Sequence, residues 1–161
     1  MPSVAREDAG GRDAKDVRQF REQDVDAVLR ILLESPEAAG WSRDGFLETA
    51  AEQASLALVF ESEGALGGFL MGRVVRDQAE ILNLAVARKH RHQGVATALL
   101  EVALAHFRRN GGESVYLEVR ESNAAGIAFY AKHGFATVGR RKDYYEDPAE
   151  SAVTMARKLA G

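Results

Sequence analysis

Cysteine is absent from the 161 residues. Disulfide bonds, thiolate metal sites and a cysteine nucleophile are therefore excluded. The absence suits a reducing cytoplasm, although secreted proteins can also lack cysteine. Long apolar runs are missing too. The longest mostly apolar stretch, residues 95–105, is broken by Thr97 and Glu101 and is too short to cross a bilayer. The start, MPSVAREDAGGRDAKD, has no apolar segment of the kind a secretory signal needs. Neither sign of charge dominates: 21 Lys and Arg against 24 Asp and Glu leave −3. Nothing in that balance calls for a nucleic-acid partner. A soluble cytoplasmic protein, with no membrane and no nucleic acid among its partners, is the expectation.

What is present reads as one domain. The length suits a single core that needs no metal or disulfide. Residues 1–15 are polar and unpatterned and are expected to form a disordered tail, with the domain over residues 16–161. Residues 17–20 read as a short strand. Asp24 offers an N-cap for a helix carrying Val25, Val28, Leu29 and Leu32 on one face. Pro36 and Gly40 mark a break, and Ser42 caps a second helix ahead of Phe46 and Leu47. Strands are expected at residues 55–60, Ala65–Val75 and 79–86; Gly67, Gly68 and Gly72 permit a twisted or bulged second strand. The clearest helix is 93–109, stopped by Gly111-Gly112. A strand at 114–119, a helix at 123–133 and strands at 135–139 and 152–159 complete the chain, the last two joined by a polar loop. The order β-α-α-β-β-β-α-β-α-β-β predicts an α/β (α+β) domain: a mixed central sheet flanked by helices.

The strongest local signal runs from Leu84 to Ala96. An apolar strand ends, a basic turn with Arg88, Lys89 and Arg91 follows, and a Gly/Ala-rich helix opens at Gly94 and Ala96. Free N–H groups and the dipole at a helix N-terminus favour anions. From the residues alone, a solvated basic turn capping a core helix fits equally well. No Gly-Lys-Ser/Thr follows, and no Gly-x-Gly-x-x-Gly opens the helix, so neither a P-loop nor a dinucleotide fingerprint fits. His90 and His92 have no ligating partner at helical spacing, so no metal is expected.

Farther along, residues 114–119 alternate, with Val115, Leu117 and Val119 on one face and Ser114, Tyr116 and Glu118 on the other. A carboxylate in a central strand needs a reason; Arg120 or a lysine could supply one as a partner. Asn123, Ile127 and Tyr130 share a helix face, so Asn123 and Tyr130 could reach one ligand. Equally, Asn123 could cap the helix and Tyr130 could be half-buried core.

Arg91-x-x-Gly94-x-Ala96 after an apolar strand resembles the pyrophosphate motif of the GNAT superfamily of N-acetyltransferases. The likeness extends through Leu117-Glu118-Val119-Arg120-Glu121-Ser122-Asn123, Ala128-Phe129-Tyr130-Ala131-Lys132-His133-Gly134-Phe135 and Arg140-Arg141-Lys142-Asp143-Tyr144-Tyr145. Within the superfamily it is most similar to bacterial enzymes that acetylate the N-terminal alanine of a ribosomal protein. The match is close over roughly residues 80 to 159. Before that it is one of layout, plus the string Pro36-Glu37-Ala38-Ala39-Gly40-Trp41-Ser42.

The resemblance implies a GNAT-type domain using acetyl-CoA as cosubstrate and no metal. It implies that Arg91, His92, Gln93, Gly94, Val95, Ala96 and Thr97 hold the pyrophosphate. The pantetheine would pair with the backbone of Leu84, Ala85 and Val86, and Asn123 and Tyr130 would also contact the cosubstrate. It implies Glu118 as general base and Tyr130 as general acid. Trp41, Tyr144 and Tyr145 would wall the acceptor. The chain departs from the commoner pattern by placing Pro148 after Glu146-Asp147 rather than directly after the two tyrosines. The implied reaction is direct acetyl transfer to a primary amine, foremost a protein N-terminal α-amino group. A small-molecule amine acetyltransferase and a non-catalytic CoA-binding module are the other readings.

Overall fold

The computed structural model describes residues 14–159. The expected tail lies outside them, save Ala14 and Lys15, which join Asp16 in a 3-10 turn. Seven strands follow: β1 (Val17–Gln19), β2 (Ser55–Ser62), β3 (Ala65–Val75), β4 (Gln78–Val86), β5 (Ser114–Arg120), β6 (Ala136–Glu146) and β7 (Ala149–Lys158). The helices are α1 (Val25–Leu33), α2 (Arg43–Ala50), α3 (Val95–Arg109) and α4 (Ala124–Lys132). Their chain order is the expected one. One mixed sheet runs β1-β2-β3-β4-β5-β7-β6, antiparallel except between β4 and β5. Among the described residues no helix is long and apolar enough to cross a membrane.

Period-2 alternation divides the core into two layers. On one face α3 presses Val95, Leu99, Ala103 and Phe107 onto Leu58, Phe60, Leu70 and Ile81. On the other, α1 and α2 bring Val25, Val28, Ile31 and Phe46 over Val59, Phe69, Met71 and Ala85. Buried on both faces, β3 must approach its neighbours closely. A Cβ on Gly72 would meet the Glu80 carbonyl oxygen at 2.7 Å and Phe107 Cζ at 2.9 Å. Gly72→Ala is thus expected to lose about 1–3 kcal/mol by overpacking. Urea denaturation checks this; an unchanged midpoint would mean that the strand has room to spare.

Two local expectations are corrected. Asp24 does not cap α1 through its side chain. It already sits in helical backbone at φ −81° and ψ −10°, whereas an N-cap is extended. Its carboxylate instead accepts from the Arg21 N–H at 2.7 Å and the Arg18 guanidinium at 2.9 and 3.0 Å. Ser42 behaves as expected and accepts from the Gly45 N–H. The polar loop expected at 140–150 is mostly strand: β6 and β7 continue to a turn at Asp147-Pro148. The reason lies far away in sequence. Arg120, buried at the end of β5, donates to the carbonyls of Pro148 (2.9 Å) and Asp147 (3.2 Å) and to Glu150 (3.3 Å).

The feature that matters for function is a parting of the sheet. β4 and β5 pair only at Gln78↔Ser114, Ala79↔Val115 and Glu80↔Tyr116. Just beyond, the β3–β4 register passes from Gly72↔Ile81 to Met71↔Asn83 and leaves Leu82 unmatched. An extra residue bends a strand and increases its twist, so the rest of β4 swings away from β5. Asn83 adjoins the bulge. Its buried amide donates to the Ala39 carbonyl at 2.9 Å and ties β4 to the α1–α2 loop.

Candidate active site

Where β4 leaves β5 a cleft of about 210 Å³ opens. Leu82, Asn83 and Leu84 form one side and Leu117, Glu118 and Val119 the other. Asn123, Tyr130, Tyr144 and Tyr145 line it too, with Glu37, Ala38 and Ala39 of the α1–α2 loop. Six of the residues singled out from sequence thus share one space: Leu84, Glu118, Asn123, Tyr130, Tyr144 and Tyr145. Trp41 is not among the lining residues. Its ring packs edge-on to Phe46 at 5.6 Å, and its neighbours Ala38 and Ala39 take the wall instead.

Strand alternation carries Glu118 to the face opposite Val115, Leu117 and Val119, as expected. Its side chain is 17% exposed. The partner is not Arg120, which is committed to the β6–β7 turn, but Arg141 from β6. The Arg141 Nε donates to Glu118 Oε2 at 3.1 Å, and the Thr154 hydroxyl donates to the same oxygen at 3.3 Å. Arg141 belongs to the string at 140–145 that carries the family likeness, but no local pattern aims it at Glu118, and Thr154 had no signal at all. Both belong to strands that reach β5 only through tertiary pairing, Glu118↔Thr154 among them.

Asn123 does cap α4, its side-chain oxygen accepting from the Gly126 N–H at 2.9 Å. It lines the cleft as well, so the two readings of this residue are compatible. Tyr130 is buried, with edge-on ring contacts to Phe129 at 5.2 Å and Phe135 at 5.5 Å. Burial, aided by nearby Tyr145, pushes its hydroxyl above the usual phenol range, so it keeps its proton. Tyr145 is pushed up to about 12, chiefly by burial, and lies over the Arg120 guanidinium at 4.3 Å.

The anion loop lies beyond the end of β4. Arg88–His90 form a 3-10 turn, His92 and Gly94 take positive φ (62° and 84°), and Gly94 is the N-cap of α3. Left-handed backbone at Gly94 costs little without a Cβ. It leaves the first-turn N–H groups of Val95, Ala96 and Thr97 outside the intrahelical ladder. The Arg91 guanidinium points elsewhere. It donates to the carbonyls of Glu34 (2.8 Å) and Val86 (3.1 Å) and to the Ser35 hydroxyl (3.1 Å), locking the loop to α1. The Thr97 hydroxyl lies 3.2 Å from His133 Nε2. Along β4, Leu84, Ala85 and Val86 pair with β3 on one edge, and among the described residues β5 pairs none of them on the other. Open backbone followed by a helix N-terminus fits an extended, amide-bearing chain ending in phosphates. No group of three or more His, Cys, Asp or Glu that could hold a metal ion occurs among the described residues.

Comparison with known proteins agrees with this geometry. Residues 25–135 match the acetyltransferase (GNAT) family. The chain is 36% identical over 122 residues to the ribosomal protein bS18-alanine N-acetyltransferase of Escherichia coli (strain K12), covering 74% of this chain and 82% of that one. It is 32% identical over 164 residues to an N-alpha-acetyltransferase of Saccharolobus solfataricus, covering 92% and 95%. The crystal structure of the ribosomal-protein-S18-alanine N-acetyltransferase from Escherichia coli superposes with a TM-score of 0.79 at 30% identity, over 90% of this chain and 94% of that one. With the split sheet, the loop after β4 and these relatives together, the chain belongs to the GNAT family of acetyltransferases.

Proposed function

We propose that the chain moves the acetyl group of acetyl-CoA to the α-amino group of a protein N-terminus, by direct attack in a ternary complex. The observation that carries this reading is the meeting of Glu118 and Tyr130 in one cleft, beside the open edge of β4. The pantetheine lies along the backbone of Leu84, Ala85 and Val86. The pyrophosphate sits on the N–H groups from Arg91 to Thr97, and Asn123 holds the cosubstrate near the thioester.

An α-ammonium has a pKa of ~8, so only about a tenth is neutral at pH 7. Glu118 takes its proton, directly or through one water. The neutral nitrogen attacks the thioester carbonyl carbon, the C–S bond breaks, and Tyr130 protonates the departing thiolate. The proton then shed by the attacking nitrogen restores Tyr130 through solvent. With no cysteine in the chain, no acetyl-cysteine intermediate intervenes. Positioning of both reactants supplies much of the remaining acceleration.

A protein N-terminus is favoured over a small amine because the similar proteins are named as alanine and N-alpha acetyltransferases. Peptide-array acetylation with mass-spectrometric localisation tests this. Modification of free amines alone would sink the peptide reading, and no turnover at all would favour a CoA-binding module.

The loop assignment has its own test. Gly94→Val places a branched Cβ where phosphate must approach and strains a left-handed residue by about 1–2 kcal/mol. Acetyl-CoA binding is expected to weaken about tenfold or more. Calorimetry on folded variant showing wild-type affinity would remove the phosphate from Gly94.

A further inference from the structure

Arg120 and Arg141 differ in how firmly they are held. The Arg120 side chain is 8% exposed and bound to two carbonyls and Glu150. Arg141 is the opposite: its side chain is 61% exposed, and among the described residues its polar partner is Glu118 Oε2. It also lies against Tyr144, the guanidinium carbon 5.5 Å from the ring centroid. Its backbone ends the regular β6–β7 register. Arg141 pairs with Ala152, and the next pair is Tyr145 with Glu150, so Lys142, Asp143 and Tyr144 face Ser151 alone. With its Arg141 end in solvent, an ion pair of this kind is weakly held.

A carboxylate oxygen, a neighbouring hydroxyl and an aromatic face are also what an ammonium group would bind. We infer that Arg141 occupies the acceptor's ammonium subsite in the free enzyme, and that the incoming α-ammonium displaces it from Glu118. The inference rests on the reading of Glu118 as base and adds where the amine sits: between Glu118 Oε2, the Thr154 hydroxyl and the Tyr144 ring. Arg141 is then a competitor that sets acceptor affinity. It gives way to a cation and holds the carboxylate against a neutral molecule.

Removing the competitor should improve acceptor binding. In Arg141→Gln, the KM for an acceptor peptide is expected to fall about two- to fivefold, with acetyl-CoA affinity by calorimetry unchanged. Guanidinium chloride at low millimolar concentration should compete with the peptide in this variant more strongly than in the wild type. Arg141→Lys restores a cation and should return KM toward the wild-type value. A KM that rises or stays level in Arg141→Gln, or that falls equally in Arg141→Lys, overturns the inference. The base assignment fails separately, through normal turnover in Glu118→Gln, where Arg141 is untouched.

Discussion

Glu118→Gln should lower kcat by about 10²–10⁴-fold while acetyl-CoA affinity changes little. The glutamine keeps the shape and the acceptor oxygen that Thr154 uses, so the β5–β7 pairing survives. It loses the one property the reaction needs, a site that takes a proton from the acceptor's ammonium. Glu118 lines the cleft from β5, the strand that β4 has just left. The measurement is steady-state turnover from pH 6 to 9. If the variant keeps near-normal rates across that range, another group or bulk water removes the proton.

Tyr130→Phe separates chemistry from packing. The ring contacts with Phe129 and Phe135 persist in the variant, so a tyrosine needed only for the core would lose about 1 kcal/mol of stability and little activity. A general acid cannot be spared so cheaply: the chemical step should slow by about 10²-fold or more while cofactor binding holds. Burial keeps this hydroxyl protonated well above neutral pH, the state a donor requires. An acetyl thioester with a better leaving group needs less protonation and should recover part of the loss. Single-turnover rates equal to wild type would reduce Tyr130 to a packing residue, with solvent protonating the thiolate.

Most of the architecture was legible because it is local. Alternation in β5, the Gly-bounded α3 and the Ser42 cap are each written within a few residues, and the element order followed from them. What was not legible depends on partners distant in sequence. Asp24 reads as a helix cap until Arg18 and the Arg21 N–H claim its carboxylate. The 140–150 segment reads as a loop until Arg120 binds its turn. The site divides the same way. Glu118 and Tyr130 sit on regular elements whose periodicity aims them, and Asn123 caps the second of these. Arg141 and Thr154 enter the site only because β7 lies beside β5 and β6 beside β7, a pairing no local pattern encodes. Arg91 shows the converse: a motif residue whose side chain is spent on α1 rather than aimed at a ligand.

The irregular hairpin has a consequence apart from catalysis. As the last strand of the sheet, β6 would offer another molecule eleven residues of unpaired backbone, an invitation to edge-to-edge association. Arg140 and Arg141 on that strand are paired with Glu121 and Glu118, and Lys142 follows them, so the edge is charged rather than apolar. At Asp143, φ turns to +52° and the N–H turns inward to the Ser151 hydroxyl, which breaks the ladder midway. The distortion that carries Tyr144 to the cleft also leaves no straight edge long enough to template a neighbour.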